Sequence, residues 1–174
     1  MPATDPLQIR REWTPIEELR ALELAASERY REVGYDPGPW PLTTPQDFAD
    51  YRDLGLLWVA VIDDRAVGFA VVDVYGDHFH LEEIDVLPEV QGRGIGAALI
   101  REVLAEGAKR NSKAVSLRTF LTTPWSVGLY EKIGFRRWDP DPVPQYLQAI
   151  IDDEHESGLR KDERLSMKFD LAPE

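Results

Sequence analysis

The chain has 174 residues, 43% of them hydrophobic, with six Phe, six Tyr, five Trp and no cysteine. That length and apolar content suit one domain, 1–174, with a sizeable core. The lack of cysteine excludes disulfides, thiolate metal sites and a Cys nucleophile. A formal net charge of −12 argues against nucleic acid as a partner, which calls for a basic face. It suits a solvated or salt-adapted surface, or attraction of a cationic small molecule such as a polyamine or aminosugar. Met1–Arg11 holds no apolar stretch of signal-peptide length. No run of about 18 apolar residues occurs, so the expectation is a cytoplasmic protein without a membrane span.

Leu7–Arg11 reads as a short first strand. Thr14-Pro15-Ile16-Glu17 reads as a helix start, with Thr as N-cap, Pro in the first turn and Glu completing a capping box. Ile16, Leu19, Leu22, Ala26 and Tyr30 follow at helical spacing. Gly34 and Pro37-Gly38-Pro39 end that segment. Thr44-Pro45-Gln46-Asp47 is a second helix start. Leu56–Ile62 and Ala66–Tyr75 are predicted strands, joined as a hairpin through Asp63-Asp64. Gly76-Asp77 turns into a third strand, Phe79–Leu87.

The period then changes. Ile95, Leu99, Val103 and Leu104 fall on one helical face, with Arg101, Glu102, Glu106 and Lys109 opposite. Ala114–Leu121 is a strand, Thr123-Pro124 opens a helix, and Gly134 closes it. Phe135–Trp138 is short and strand-like, Asp139–Pro144 is loop, Gln145 to about Glu156 is helical, and Leu165–Leu171 alternates as a last strand. The order predicts a mixed α/β layered fold.

Chemistry concentrates in Ile84-Asp85-Val86-Leu87-Pro88-Glu89-Val90-Gln91-Gly92-Arg93-Gly94-Ile95-Gly96-Ala97. A strand ends, Pro88 stops the ladder, and three alternate glycines lead into a helix. Such a loop lets backbone N–H groups converge on one point. The helix start adds partial positive charge and Arg93 a full one, which together suit a diphosphate. The bland alternative is a glycine-rich turn that only starts a helix. Gly92, Gly94 and Ala97 also satisfy a dinucleotide fingerprint, but four residues separate the strand from the first Gly and no acid occurs between Glu106 and Glu131. A Walker A loop is absent.

With Val86-x-Pro88 and Gln91-Gly92-Arg93-Gly94-Ile95-Gly96, and with Leu129-Tyr130-Glu131-Lys132-Ile133-Gly134-Phe135 downstream, the chain resembles the GCN5-related N-acetyltransferase (GNAT) family. The likeness covers roughly Leu56–Trp138, and the last strand fits it. It implies a mostly antiparallel, twisted sheet of about six or seven strands flanked by helices and splayed at the cofactor site. It further implies acetyl-CoA as co-substrate and an amine as acceptor, with no metal, and it allows a homodimer. By that resemblance Ile84, Val86 and Leu87 meet the pantetheine arm. An N–H near Val86 or Leu87 polarises the thioester carbonyl. Gln91, Gly92, Arg93, Gly94, Ile95, Gly96 and Ala97 hold the diphosphate, and Tyr130 lies near the CoA sulfur.

An alkylamine acceptor is mostly protonated at neutral pH and has to lose a proton to attack. Tyr130, a phenol of pKa about 10, suits a departing alkyl thiolate; the plainer role is packing under its helix. The family's strand carboxylate corresponds here to His80, with Glu82 and Glu83 nearby. Simple alternation puts His80 and Glu82 on one face and Glu83 on the other, and all three are also ordinary strand residues. His78 and His80 have a spacing that can bind metal, although three His and no Cys make a poor ligand supply.

Two departures from the family pattern stand out. Thr123 takes the place of a common Asn seven residues before the Tyr, and an N-cap explains it equally well. The second is a helical insertion at about 139–164, readable as an ornament or as a wall over the acceptor. Two other functions compete with catalysis: a CoA-binding or regulatory module, and a nucleotide-dependent oxidoreductase. The acceptor carries no signature.

Overall fold

The computed structural model describes residues 6–35 and 41–171. Pro37-Gly38-Pro39 lies outside the described residues. The chain forms two compact units, 1–73 with 81–106, and 74–80 with 107–174.

The first unit holds β1 (Gln8–Arg10), α1 (Ile16–Ser27), α2 (Pro45–Asp53), β2 (Leu57–Ile62), most of β3 (Arg65–Tyr75), most of β4 (His78–Val86) and most of α3 (Ile95–Lys109). Its strands run in the order β1-β2-β3-β4. β2 is antiparallel to β1 and to β3. The tight β2–β3 turn is made by Asp63 and Asp64, both left-handed at φ 50° and 55°. Aspartate tolerates that region because its short polar side chain bonds locally. β2 is buried along Leu57–Val61, so it reads as a continuous apolar run rather than an alternating one. Trp58, Phe69, Phe48, Leu19, Leu99 and Ile100 are fully buried, each worth about 1.5–3 kcal/mol of apolar burial.

The two threonine helix starts behave differently. Thr44 accepts from the Asp47 N–H while Asp47 accepts from the Thr44 N–H, a complete capping box. At α1 the cap position falls on Pro15, and no side chain caps the helix. The box expected from Thr14 and Glu17 does not form, because the helix begins one residue later than that pairing needs. A short 3-10 segment, Glu28–Val33, carries the chain on to Gly34, which is left-handed at φ 88°.

In the second unit the order is β4-β5-β7-β6, with β5 at Ala114–Phe120, β6 at Arg136–Arg137 and β7 at Arg164–Asp170. β7 is antiparallel to both β5 and β6. β4 contributes His78–His80 here. α4 (Val127–Ile133) and α5 (Gln145–Glu156) complete the unit. Thr123 does not cap α4, which starts four residues later; its hydroxyl bonds Ser126 Oγ and the Phe120 carbonyl instead. Among the described residues the fold is mixed α/β, with seven strands and five α-helices.

Candidate active site

In the first unit the glycine loop has the form the sequence predicts. β4 ends at Val86, a 3-10 turn covers Pro88–Val90, and α3 begins at Ile95. Gly92 and Gly94 are left-handed, at φ +76° and +81°, with open space where a Cβ would stand. Glycine is needed at both for backbone conformation, not for room. The first α3 bond to a preceding loop carbonyl is Ala98 N–H to Gly94 O, at 3.0 Å. Ile95, Gly96 and Ala97 therefore occupy the helix positions whose N–H groups have no intrahelical acceptor. Gly92, Arg93 and Gly94 are exposed. Two left-handed glycines, a helix start and an exposed guanidinium fit a diphosphate.

Gln91 also braces the loop. Its side-chain amide donates to the Val86 carbonyl at 2.9 Å, tying the loop to the end of β4. The Leu87 N–H donates to the Val67 carbonyl at 2.9 Å, so that donor is already engaged. Sequence reasoning missed Gly68. A Cβ there would lie 2.8 Å from the Asp85 carbonyl, 3.2 Å from Val86 Cγ2 and 3.4 Å from Ile95 Cγ2. The bare backbone at Gly68 lets β3, the end of β4 and the first residue of α3 approach closely.

The same unit contains carboxylates that composition alone could not locate. Glu23 on α1 is 5% exposed and accepts from the Thr43 N–H and hydroxyl at 3.0–3.1 Å. Burial raises its pKa above the usual carboxylate range. Burial pushes Asp85 well up too, with Glu83 and Glu23 adding to the effect. Tyr51 donates to Asp73 at 2.9 Å; burial first, then the Asp73 charge, raises its phenol, and Glu82 contributes. Glu82 is exposed, while Glu83 and Ile84 are half-buried.

In the second unit, Tyr130 is 7% exposed on α4, its ring 5.8 Å from Phe135 and steeply inclined to it. The helix stops because Gly134 turns left-handed at φ 117°. The N–H groups of Gly134 and Phe135 both return to the Tyr130 carbonyl. This is how the Leu129–Phe135 block fixes the tyrosine.

His80 is 2% exposed. At the start of β4 Phe79, His80 and Leu81 are all buried, as expected where both faces of a strand are covered. His80 Nδ1 lies 2.9 Å from Ser116 Oγ. Burial lowers its pKa to about 4; Glu154 opposes the shift, and Arg118 and Arg164 add to it. His78 has a separate partner, the Asp77 carboxylate at 2.7 Å. Among the described residues no group of three metal-ligating side chains assembles.

The insertion also yields residues that sequence reasoning overlooked. Glu154 of α5 bridges Arg118 of β5 at 2.7 Å and Arg164 at the start of β7 at 2.6 Å. All three side chains are largely buried. Near the other end of α5, Leu147 is fully buried and Tyr146 stacks on Tyr75 at 4.6 Å. An arginine inside the apolar strand Ala114–Phe120 was the one available sequence signal for this network.

With that geometry in place, comparison with known proteins is informative. The model of the acetyltransferase (GNAT) family matches residues 18–135. A mycothiol acetyltransferase of Pseudarthrobacter chlorophenolicus is 32% identical over 123 residues, 71% of this chain and 34% of that protein. The chain thus spans about a third of the length of such relatives. A [ribosomal protein bS18]-alanine N-acetyltransferase of Salmonella typhimurium is 33% identical over 97 residues, 56% of this chain and 64% of that one. The PaiA N-acetyltransferase of Thermoplasma acidophilum, solved with coenzyme A, shares the fold at TM-score 0.70 and 16% identity, covering 95% of this chain and 99% of that one.

Proposed function

From the premise that this chain belongs to the acetyltransferase (GNAT) family, we propose that it moves an acetyl group from acetyl-CoA to a primary amine by direct attack in a ternary complex. Residues 1–174 act as one catalytic domain, in the cytoplasm, and a homodimer is compatible with this reading. The observation that carries the proposal is the pair of left-handed glycines, Gly92 and Gly94, leading into the start of α3.

In this reading the N–H groups from Gly92 to Ala97, with Arg93, bind the diphosphate of CoA. Gln91 supports the loop through Val86. Ile84 and Val86 meet the pantetheine arm. With the Leu87 N–H given to Val67, the donor to the thioester carbonyl is assigned to Val86. Preorganised donors of this kind stabilise the developing oxyanion without reorganisation. Attack by the neutral amine forms the C–N bond, the C–S bond breaks, and Tyr130 gives its proton to the leaving thiolate. Glu82 or His80 removes the proton of the amine. Glu82 is exposed to solvent; His80 is neutral at physiological pH because it is buried. The relatives' names point to different acceptors, mycothiol and a ribosomal-protein alanine. The acceptor class is therefore proposed only as a primary amine, on a small molecule or on a protein N-terminus or lysine.

A non-catalytic CoA-binding module is the second reading, favoured by the deep burial of His80. Thiol release from acetyl-CoA with an amine panel separates the two. Catalysis is expected, with Tyr130→Phe lowering turnover at least about tenfold while acetyl-CoA affinity holds. CoA binding without thiol release would leave only the binding module, and no CoA binding would end both readings. His80→Ala or Glu82→Gln is expected to shift the acidic limb of the pH–rate profile.

A further inference from the structure

The hydroxyl of Ser116 has three neighbours in the second unit. The Phe79 carbonyl is 3.4 Å away, the Tyr146 hydroxyl 3.2 Å, and His80 Nδ1 2.9 Å. A serine hydroxyl has one proton to give and two lone pairs to accept with. A carbonyl only accepts, so all three contacts are made together only when the Ser116 proton goes to Phe79. Both lone pairs then receive: Tyr146 donates its O–H, and His80 Nδ1 must carry a hydrogen. A neutral imidazole has a single N–H, so the lone pair lies on Nε2. We propose that Ser116 and Tyr146 are positioning residues that fix His80 as its Nδ1–H tautomer, making Nε2 the nitrogen able to accept a proton.

The surroundings support this assignment. Tyr75 and Tyr146 are stacked 14° from parallel, and each presents its ring to His80 at 6.2–6.3 Å. That packing holds the imidazole plane. The charged groups that act on His80 are Glu154 from α5, Arg118 from β5 and Arg164 from β7. Two cations against one anion, in a buried setting, disfavour imidazolium. Tyr146 is held from both directions: Leu147 beside it is fully buried, and Glu154 pins the far end of α5 to two arginines. The insertion is then more than an ornament. It delivers the hydroxyl that completes the Ser116 arrangement.

The catalytic consequence rests on the reading of His80 as the base; the tautomer does not. Imidazole 15N spectra of the full chain at neutral pH are expected to show His80 with a protonated Nδ1 and a pyridine-like Nε2. Ser116→Ala and Tyr146→Phe, the second keeping the ring stack, should each convert this into a tautomer mixture. Tyr146→Phe should also lower kcat about tenfold with KM for acetyl-CoA unchanged, and should have no further effect in a His80→Ala background. A wild-type spectrum showing Nε2–H, or one unmoved by Ser116→Ala, overturns the proposal. The expected tautomer with full kcat in His80→Ala removes the base reading and leaves the tautomer standing.

Discussion

The glycine loop of the first unit and the polar cluster of the second are built by opposite means. The loop is exposed and made of backbone, and its form rests on two left-handed glycines and the start of α3. The cluster is buried and made of side chains: His80, Ser116, Tyr146, Arg118, Glu154 and Arg164 come from four separate elements. A backbone site should be sensitive to conformation and tolerant of charge. A buried side-chain network should be the reverse, because removing one member strands the others away from water.

The most damaging way to test that contrast is Glu154→Ala. It leaves two largely buried guanidiniums without their carboxylate, a loss of about 3–5 kcal/mol, read from urea unfolding. A loss under about 1 kcal/mol would mean that the network behaves like a surface ion pair.

Next comes pH. His80 stays neutral down to about pH 4, whereas in the unfolded chain it takes up a proton near 6.5. Above 6.5 both states are neutral and the folded state has its full advantage. As pH falls from 6.5 toward 4 the unfolded state gains a proton that the folded state does not, so stability declines. Below 4 the loss levels off. The total is about 3 kcal/mol; it should be absent from His80→Gln and appear in full in the difference between wild type and that variant. Glu23 and Asp85, whose pKa values are raised, act in the opposite direction, so the difference between variants is the measurement to make.

Gly68→Ala probes the loop's foundation. The new Cβ meets the Asp85 carbonyl at 2.8 Å, and overpacking against backbone costs about 1–3 kcal/mol. Because the strain falls on Val86 and Ile95, CoA affinity should drop with stability.

The smallest global effect is expected from Gly94→Ala. It forces an L side chain into the left-handed region at about 1–2 kcal/mol without any steric contact. CoA binding should weaken by about tenfold, measured by calorimetry, while the unfolding midpoint moves little. A large stability loss with normal CoA binding would erase the distinction between the two regions.

The two regions also differ in how far they could be read from sequence. The loop is a local pattern, in which three alternate glycines, a proline and the change to helical period occupy one short stretch. The Leu129–Phe135 block is local in the same sense, and Gly134 as helix terminator followed from it. Apart from Arg118 inside an apolar strand, nothing local announced the cluster. In sequence Tyr146 is one aromatic in a helical stretch and Glu154 one acid among several. Alternation along β4 says nothing of how deeply His80 is buried while Glu82 is exposed. Three threonine-proline helix starts looked alike, but only Thr44 caps, because a shift of one or a few residues in where a helix begins depends on what the helix packs against.

By itself, then, the sequence determined the order of elements, the mixed α/β class and the backbone loop, since periodicity and glycine conformation act over a few residues. Tertiary structure decided the burial of His80, the direction in which the pKa values of His80 and Asp85 are pushed, the use of Gln91 and Leu87 to brace the loop, and the pinning of α5 by Glu154. Each of those depends on desolvation and on partners far away along the chain. A residue's neighbours in sequence carry no information about the dielectric it will occupy or the groups it will meet there.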